Sequence, residues 1–386
     1  MKQLDFLHVA SFNGNVGDNA NHNGSLRLLM QNLGAQLQVK QLEIRKSYNN
    51  YTLEDGWSFD EKFADEVNAH DLTFVGGGNY FELWLSGSQT GTTIDISMAV
   101  LEKIKSPTVF YGLGCDIAMG VEQEAIDKFE RFLDYLDKRQ NFMVFLRNDG
   151  SQQTLRDLYG TKFDHFVRCV PDGGFFVDAT QKSDPDFIVP GKKNIVVNLS
   201  GDMMDTRFPD SSNMSYADFI SQIGIVLETL IDRQNANIIF IPHMYKDISC
   251  IYDCMENIND FKNRYNVRVA PLLTGVGSEN TIFSLYKHAD LAMGMRFHAN
   301  VCPVGLNTPA IGLSSYKQVK ELYRELELES SCIEVNKGNF KDTLIELATE
   351  YLTAPLDIKR KLKRQKTKLS AWIIREHKKI DEILLG

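Results

Sequence analysis

The chain has 386 residues, 43% of them hydrophobic and 24% charged, which is long for one core and comfortable for two domains of about 150 to 200 residues each. Its formal net charge of −9 argues against general nucleic-acid binding, which needs a basic surface to displace counterions from phosphates. No apolar stretch near the start is long enough for a signal peptide or membrane span, and the six cysteines lack paired spacing. The expectation is a cytoplasmic protein with buried free thiols.

In chain order, apolar strand-like runs fall at residues 6–10, 36–44, 72–75, 108–111, 144–146 and 166–170. Helical candidates lie between them at 21–33, 60–68, 93–104 and 122–139. Strand and helix alternation of this kind predicts a parallel sheet covered on both faces. The segment Lys182-Ser183-Asp184-Pro185-Asp186 reads as a linker, and the pattern then restarts. Strands are predicted at 195–199, 237–241, 267–270, 291–293 and 310–313, with helices at 216–233, 278–287 and 299–306. The fold class is therefore α/β, with two doubly wound domains facing each other across a cleft: an N-terminal domain at 1–181 and a second at 190–354. Residues 355–386 form a C-terminal helix. Its apolar stripe runs through Leu362, Leu369, Ile373, Ile380 and Leu384, and seven of the ten residues from 359 to 368 are basic. That face is either simply solvated or a peripheral contact with an anionic membrane surface or an acidic glycan.

Ligands in such sheets sit beyond the carboxyl ends of strands, so the motifs that follow apolar runs carry the functional reading. After the first strand comes Ser11-Phe12-Asn13-Gly14-Asn15-Val16-Gly17-Asp18, where Gly14 and Gly17 permit close backbone approach and Asp18 or Asn19 can cap a helix. The glycine spacing is not that of the dinucleotide-binding fingerprint. Val75 leads into Gly76, Gly77, Gly78 and Asn79, a turn that is entropically costly unless something approaches its backbone. Arg147 leaves a strand end, where it can take a phosphate or carboxylate in two hydrogen bonds or simply pair with Asp149 or Asp172. His243 follows another strand and is either a ligand-facing or a structural imidazole.

The richest segment is Met295-Arg296-Phe297-His298-Ala299-Asn300, which places a permanent cation and a titratable ring two positions apart after an apolar run. In extended backbone such positions share a face, and an anionic ligand is their natural guest. The amides opening the following helix would add positive potential. No set of carboxylates and histidines has metal-ligand spacing, so no metal is expected.

Taken in order, the 14–18 loop, the glycine triplet, Arg147 with Asp149 and Ser151, Pro242-His243 and Arg296-Phe297-His298-Ala299 resemble the polysaccharide pyruvyl transferase family, over about residues 8 to 320. The resemblance implies a fold similar to GT-B glycosyltransferases, with an acceptor-side N-terminal domain and a donor-side second domain. It also implies an enzyme that moves a pyruvyl group from phosphoenolpyruvate to sugar hydroxyls as a ketal, with no other cofactor. Arg296 and Arg147 would each hold a donor anion and His298 would act as the acid. Gly14, Asp18, the glycine triplet, Asn79 and His243 would line the substrates. The family's further lysine is shifted in register here, so the anion-binding group would be Lys317, Lys320 or neither. The acceptor would be a surface glycan or its lipid-linked or nucleotide-linked precursor. The rival readings are a GT-B glycosyltransferase with a nucleotide-sugar donor and a non-catalytic glycan-binding component of a polysaccharide assembly system.

Overall fold

The computed structural model describes residues 2–48, 50–51, 53–182, 184 and 186–385. The chain divides into two compact units: 1–12, 25–172 and 369–386 form the first, and 13–24 and 173–368 the second. The division falls at Asp172, ahead of the expected linker, of which Ser183 and Pro185 lie outside the described residues.

Along the first part of the chain run β1 (Lys2–Ala10), α1 (Val16–Leu33), β2 (Ala35–Glu43), α2 (Glu61–Asn68), β3 (Leu72–Gly76) and β4 (Phe81–Glu82). They are followed by α3 (Met98–Lys103), β5 (Thr108–Leu113), β6 (Cys115–Asp116), α4 (Gln123–Asp137), β7 (Phe142–Arg147), α5 (Ser151–Tyr159) and β8 (Val167–Val170). Six of the strands form one parallel sheet in the order β2-β1-β3-β5-β7-β8, while β4 and β6 pair separately, Glu82 beside Asp116. The inner strands are apolar on both faces because both are covered, which is why Phe6 to Ala10 and the whole of β3 and β5 carry so few polar residues. On one face α4 buries Ala125, Phe129, Phe132, Leu133 and Leu136, the spacing of a single helical stripe. Phe132 meets Phe110 of β5 edge-on, with ring centroids 5.3 Å apart.

Two boundaries differ from expectation for local reasons. Helix α1 starts at Val16 rather than near residue 21 because Asn15 caps it: its Oδ1 accepts from Gly17 N at 3.0 Å and its Nδ2 donates to Asp18 at 3.2 Å. The helix expected at 93–104 is only Met98–Lys103, capped by Ser97. Upstream, Thr90 Oγ1 donates to the Ile94 carbonyl at 2.7 Å and meets the Thr92 hydroxyl at 2.8 Å, an alternative to helical pairing.

The second part contains β9 (Lys193–Asn198), α6 (Met204–Arg207), α7 (Tyr216–Gln234), β10 (Ala236–Phe240), α8 (Asp247–Glu256), α9 (Asp260–Asn266) and β11 (Val267–Val269). Next come α10 (Ser278–His288), β12 (Leu291–Gly294), α11 (His298–Gly305), β13 (Ala310–Ser314), α12 (Lys317–Glu325), β14 (Cys332–Glu334), α13 (Lys341–Thr353) and α14 (Pro355–Leu385). Its parallel sheet has the order β11-β10-β9-β12-β13-β14, so the winding reverses between β9 and β12. That is the doubly wound order of Rossmann-type domains.

The terminal helix α14 is not a separate body. Its residues to Lys368 belong with the second unit and those from Leu369 with the first. Part of its basic run bonds internally: Lys366 donates to the Gly305 carbonyl and Lys368 pairs with Glu327 at 2.9 Å, whereas Arg360, Lys361, Lys363 and Arg364 are exposed. Among the described residues no helix is long and apolar enough to cross a membrane.

Beyond the expected stripe, α14 buries two polar residues in the first unit. Glu376 takes Arg168 at 2.6 Å, and His377 accepts from Asn32 Nδ2 at 2.9 Å and meets Tyr111 Oη at 2.8 Å. Burial pushes the His377 imidazole down to about 4 from its ordinary 6.5, against a smaller opposing effect of the Leu28 backbone. An unfolded chain therefore takes up this proton near pH 6.5 while the folded one resists until about pH 4. Stability from this group is fully present above pH 6.5 and lost as the pH falls towards 4, by up to on the order of 3 kcal/mol. Thermal melts followed by circular dichroism should show His377→Gln losing less of its melting temperature than the parent between pH 7 and pH 4.5. An equal acid sensitivity in both would remove His377 as a source.

Candidate active site

In the second unit the ends of β9 and β12 are neighbours at the point where the winding reverses, the place where doubly wound sheets open a crevice. Asn198, the last residue of β9, fastens this point. Its Oδ1 accepts from Arg296 N at 3.0 Å, its carbonyl from Met295 N at 3.1 Å, and its Nδ2 donates to the Ile241 carbonyl at 3.0 Å.

Arg296 is held rigidly. Its Nε and Nη2 form a two-pronged pair with Asp247, at 2.8 and 2.5 Å, and its Nη1 reaches Asp202 at 3.1 Å. Asp247, fully buried at the start of α8, also accepts from the backbone amides of His243, Met244 and Gly201. The chain of charges continues through Asp202 to Arg207, whose Nη2 lies 3.2 Å from it and whose Nη1 donates to Ser315 Oγ at 3.1 Å. The Tyr316 ring lies 5.7 Å from the Arg207 guanidinium. Burial works against the charge on Asp202, but Arg296 and Arg207 outweigh it and hold its carboxyl down at about 2. Burial likewise opposes the charge on Arg296, and Asp247 and Asp202 more than offset it, so that its guanidinium is held above its usual range. Two cations and two anions thus balance. Each guanidinium has five N–H groups, of which three are directed at partners among the described residues: those of Arg296 at Asp247 and Asp202, and those of Arg207 at Ser315 and at the side chain and carbonyl of Asp202.

His298 opens α11 and is 5% exposed. Its ring lies against the backbone of Gly17 in the first turn of α1, where an added Cβ would come 2.5 Å from Nδ1. Gly17 is the residue of that loop whose backbone is shown packed against the imidazole. The α11 amides are less available than expected, because those of Ala299 and Asn300 donate to the carbonyls of Arg296 and Phe297 at 3.1 and 3.0 Å.

His243 has no exposure at all. Its Nε2 meets Tyr286 Oη at 2.9 Å and its ring stands edge-on to Phe283. Burial first, then the charges of Arg296 and His298, hold its pKa well below the ordinary value, so the ring is neutral. Its Nδ1 is buried without a hydrogen-bond partner among the described residues, and a substrate contact at this ring would require the core to open. Lys317 opens α12 in an exposed position, and Lys320 pairs with Glu334 at 3.2 Å.

In the first unit Arg147 ends β7, only 4% exposed, with Nε and Nη2 on Asp149 at 2.9 and 2.8 Å and Asp172 at 3.8 Å. Asp149 also takes the amide and hydroxyl of Ser151. Of the two roles open to Arg147, the geometry displays the ion pair. Gly76, Gly77 and Gly78 are buried too, and what approaches them is the chain itself: Gly77 N donates to the Tyr111 carbonyl at 2.8 Å, and a Cβ on Gly76 would lie 2.1 Å from that same oxygen. Asn79, at the end of the triplet, is half-buried and turns its Nδ2 to Glu82 and Asp116, at 3.3 and 3.4 Å.

Asn198, Asp202, Arg207 and Asp247 carry the geometry and escape the sequence reading, whereas Gly17 belongs to the glycine loop already expected to allow close approach. For two of them a signal existed, since Asn198-Leu199-Ser200-Gly201-Asp202 is a polar, glycine-bearing turn directly after a strand. Asp247 left none, because 49 residues separate it from Arg296.

The fold is shared with solved structures at low identity. A glycosyltransferase from Rickettsia africae matches at 11% identity with a TM-score of 0.58 over 100% of each chain. The UDP-GlcNAc 2-epimerase of Neisseria meningitidis bound to UDP-GlcNAc matches at 12% with a TM-score of 0.57 over 99% of each. The UDP-GlcNAc 2-epimerase of Methanocaldococcus jannaschii matches at 11% and 0.53, over 90% of this chain and 92% of that one. These likenesses show a GT-B-like pair of Rossmann-like domains. No curated protein matches the sequence. The profile of one family does match, across residues 15–316, which takes in Asn15, Gly17, Arg147, Asp202, Asp247, Arg296 and His298. The chain belongs to the polysaccharide pyruvyl transferase family.

Proposed function

We propose that this protein transfers a pyruvyl group from phosphoenolpyruvate to two hydroxyls of a sugar in a glycan or its precursor, forming a cyclic ketal. The observation that carries the reading is the fixed Arg296 at the reversal point of the second sheet with His298 two residues on, in a chain of this family. Phosphoenolpyruvate bears a phosphate and a carboxylate, and the N–H groups of Arg296 and Arg207 not aimed at aspartates suit such oxygens. Because Asp247 and Asp202 hold both guanidiniums in place, little ordering entropy is lost when the donor arrives. Arg147, paired with Asp149, is assigned to shaping the first unit rather than to the donor.

His298 is the acid in this reading. Its proton goes to the methylene carbon, leaving an oxocarbenium-like centre at the neighbouring carbon, which the first sugar hydroxyl attacks. That hydroxyl's proton returns to the imidazole. Loss of phosphate regenerates an electrophilic centre, the second hydroxyl closes the ring, and its proton leaves with the phosphate. General acid catalysis of this kind contributes about 10² to 10⁴ in rate.

His298→Ala should therefore lower ketal formation by at least about a hundredfold without changing the melting temperature much. Inorganic phosphate release from phosphoenolpyruvate, in the presence of a glycan acceptor, is the readout. Near-normal turnover would remove the proposed acid. Gly17→Ala should reproduce much of the His298→Ala defect while leaving the affinity for phosphoenolpyruvate close to that of the parent, because the added methyl displaces the ring and not the guanidiniums. A Gly17→Ala protein with full activity would show that the contact with α1 does not set the ring's position.

Arg207→Met is expected to weaken donor binding, seen as a raised KM for phosphoenolpyruvate with a smaller change in kcat. If only UDP-GlcNAc, and not phosphoenolpyruvate, gives a calorimetric binding signal, the glycosyltransferase reading takes over.

A further inference from the structure

The first unit contains a cavity of about 510 Å³ that none of the residues above accounts for. Its size falls within the range of small-molecule sites, roughly 300 to 1,000 Å³. Its wall is made by the segment just after the glycine triplet and by residues near Tyr48. Trp84 and Tyr48 contribute aromatic surface, Glu82 and Asp95 carboxylates, and Ser88, Thr92 and Thr93 hydroxyls. The wall is stiff where it matters: Thr93 donates to the Tyr80 carbonyl at 2.7 Å, Asp95 accepts from Gln89 N at 2.7 Å, and Thr92 and Thr90 bond to each other. Ser88 Oγ, by contrast, is buried without a hydrogen-bond partner among the described residues.

Among the described residues the lining holds no lysine, arginine or histidine. A phosphate, pyrophosphate or carboxylate would meet Glu82 and Asp95 with no cation to offset them, so neither phosphoenolpyruvate nor a nucleotide suits this place. Aromatic surface opposite hydroxyl and carboxylate groups suits a molecule with one apolar face and a rim of hydroxyls. We propose that this cavity seats a neutral sugar ring of the acceptor glycan, with Trp84 and Tyr48 against its apolar face and Glu82 and Asp95 bonded to its hydroxyls. That the occupant is the acceptor rests on the pyruvyl-transfer reading; that it is a neutral sugar does not.

Glu82 fits this role in a second respect. It lies beside Asp116 in the β4–β6 pair and shares Asn79 with it. Burial lifts its carboxyl to about 7, with the Asp116 charge adding to the effect and the Asn79 hydrogen bond opposing it. Near neutrality Glu82 can thus both accept from and donate to a sugar hydroxyl.

The test is titration of the full-length protein, and of its Trp84→Ala and Glu82→Gln variants, with methyl glycosides of glucose, galactose, mannose and N-acetylglucosamine and with glucuronic acid. Binding is followed by ligand-observed NMR, and phosphoenolpyruvate is titrated into the same samples. At least one neutral glycoside should bind saturably to the parent. Both variants should lose that affinity by at least about tenfold while keeping their affinity for phosphoenolpyruvate, and glucuronic acid should bind at least about tenfold more weakly than the glucoside. Failure of every neutral glycoside to saturate, unchanged affinity in both variants, or equal binding of glucuronic acid would each overturn the proposal. Loss of sugar binding in the variants of a protein that ignores phosphoenolpyruvate would uphold the cavity and sink the pyruvyl donor. Donor binding with no glycoside response would sink the cavity alone.

Discussion

The site in the second unit depends on the two-pronged pair between Arg296 and Asp247. A guanidinium with only a tenth of its surface exposed is tolerable only if its charge is met by well-placed oxygens, and Asp247 meets it while also accepting three backbone amides. The pair therefore does more than neutralise. It ties the turn after β12 to the start of α8 and to the turn after β9, so three strand ends share one electrostatic knot. Asp202 then passes the constraint to Arg207 and on to Ser315. A ligand that approaches this knot meets donors whose positions were fixed at folding, which is the condition under which oriented hydrogen bonds favour a transition state most.

The imidazole is fixed by different means. The ring of His298 rests on the main chain of Gly17, and the helix that carries this glycine is capped by Asn15. In the first unit the acidic, aromatic cavity has no cation among its described lining residues, and Arg147 is buried in its pair with Asp149.

The layered α/β architecture was legible in the chain because parallel strands covered on both faces must be continuous apolar runs. All eleven expected strands exist, and the reversal point of the second sheet falls where Arg296 begins. Helices α5, α8 and α13 were not among those expected, and the other features that escaped were short or held from far away. Helix α12 has only Val319, Leu322 and Tyr323 as an apolar stripe, too few for periodicity to stand out, and the strands β4, β6 and β14 span two or three residues each. Arg296 and His298 announced themselves as a pair, but the aspartates that hold Arg296 sit 49 and 94 residues upstream, and no local pattern links them. The glycine triplet was legible as a place of close approach, while its partner, the Tyr111 backbone, was not. His243 shows the converse: a histidine after a strand is legible, but only the surrounding Phe283 and Tyr286 reveal that it is core.

The most direct measurement of the central claim is a crystal structure of the protein soaked with phosphoenolpyruvate. Donor oxygens should lie within hydrogen-bond distance, about 3 Å, of the Arg296 and Arg207 N–H groups not aimed at Asp247 or Asp202, with the methylene carbon towards His298. A donor bound elsewhere, with both guanidiniums still wholly on their aspartates, would contradict the account.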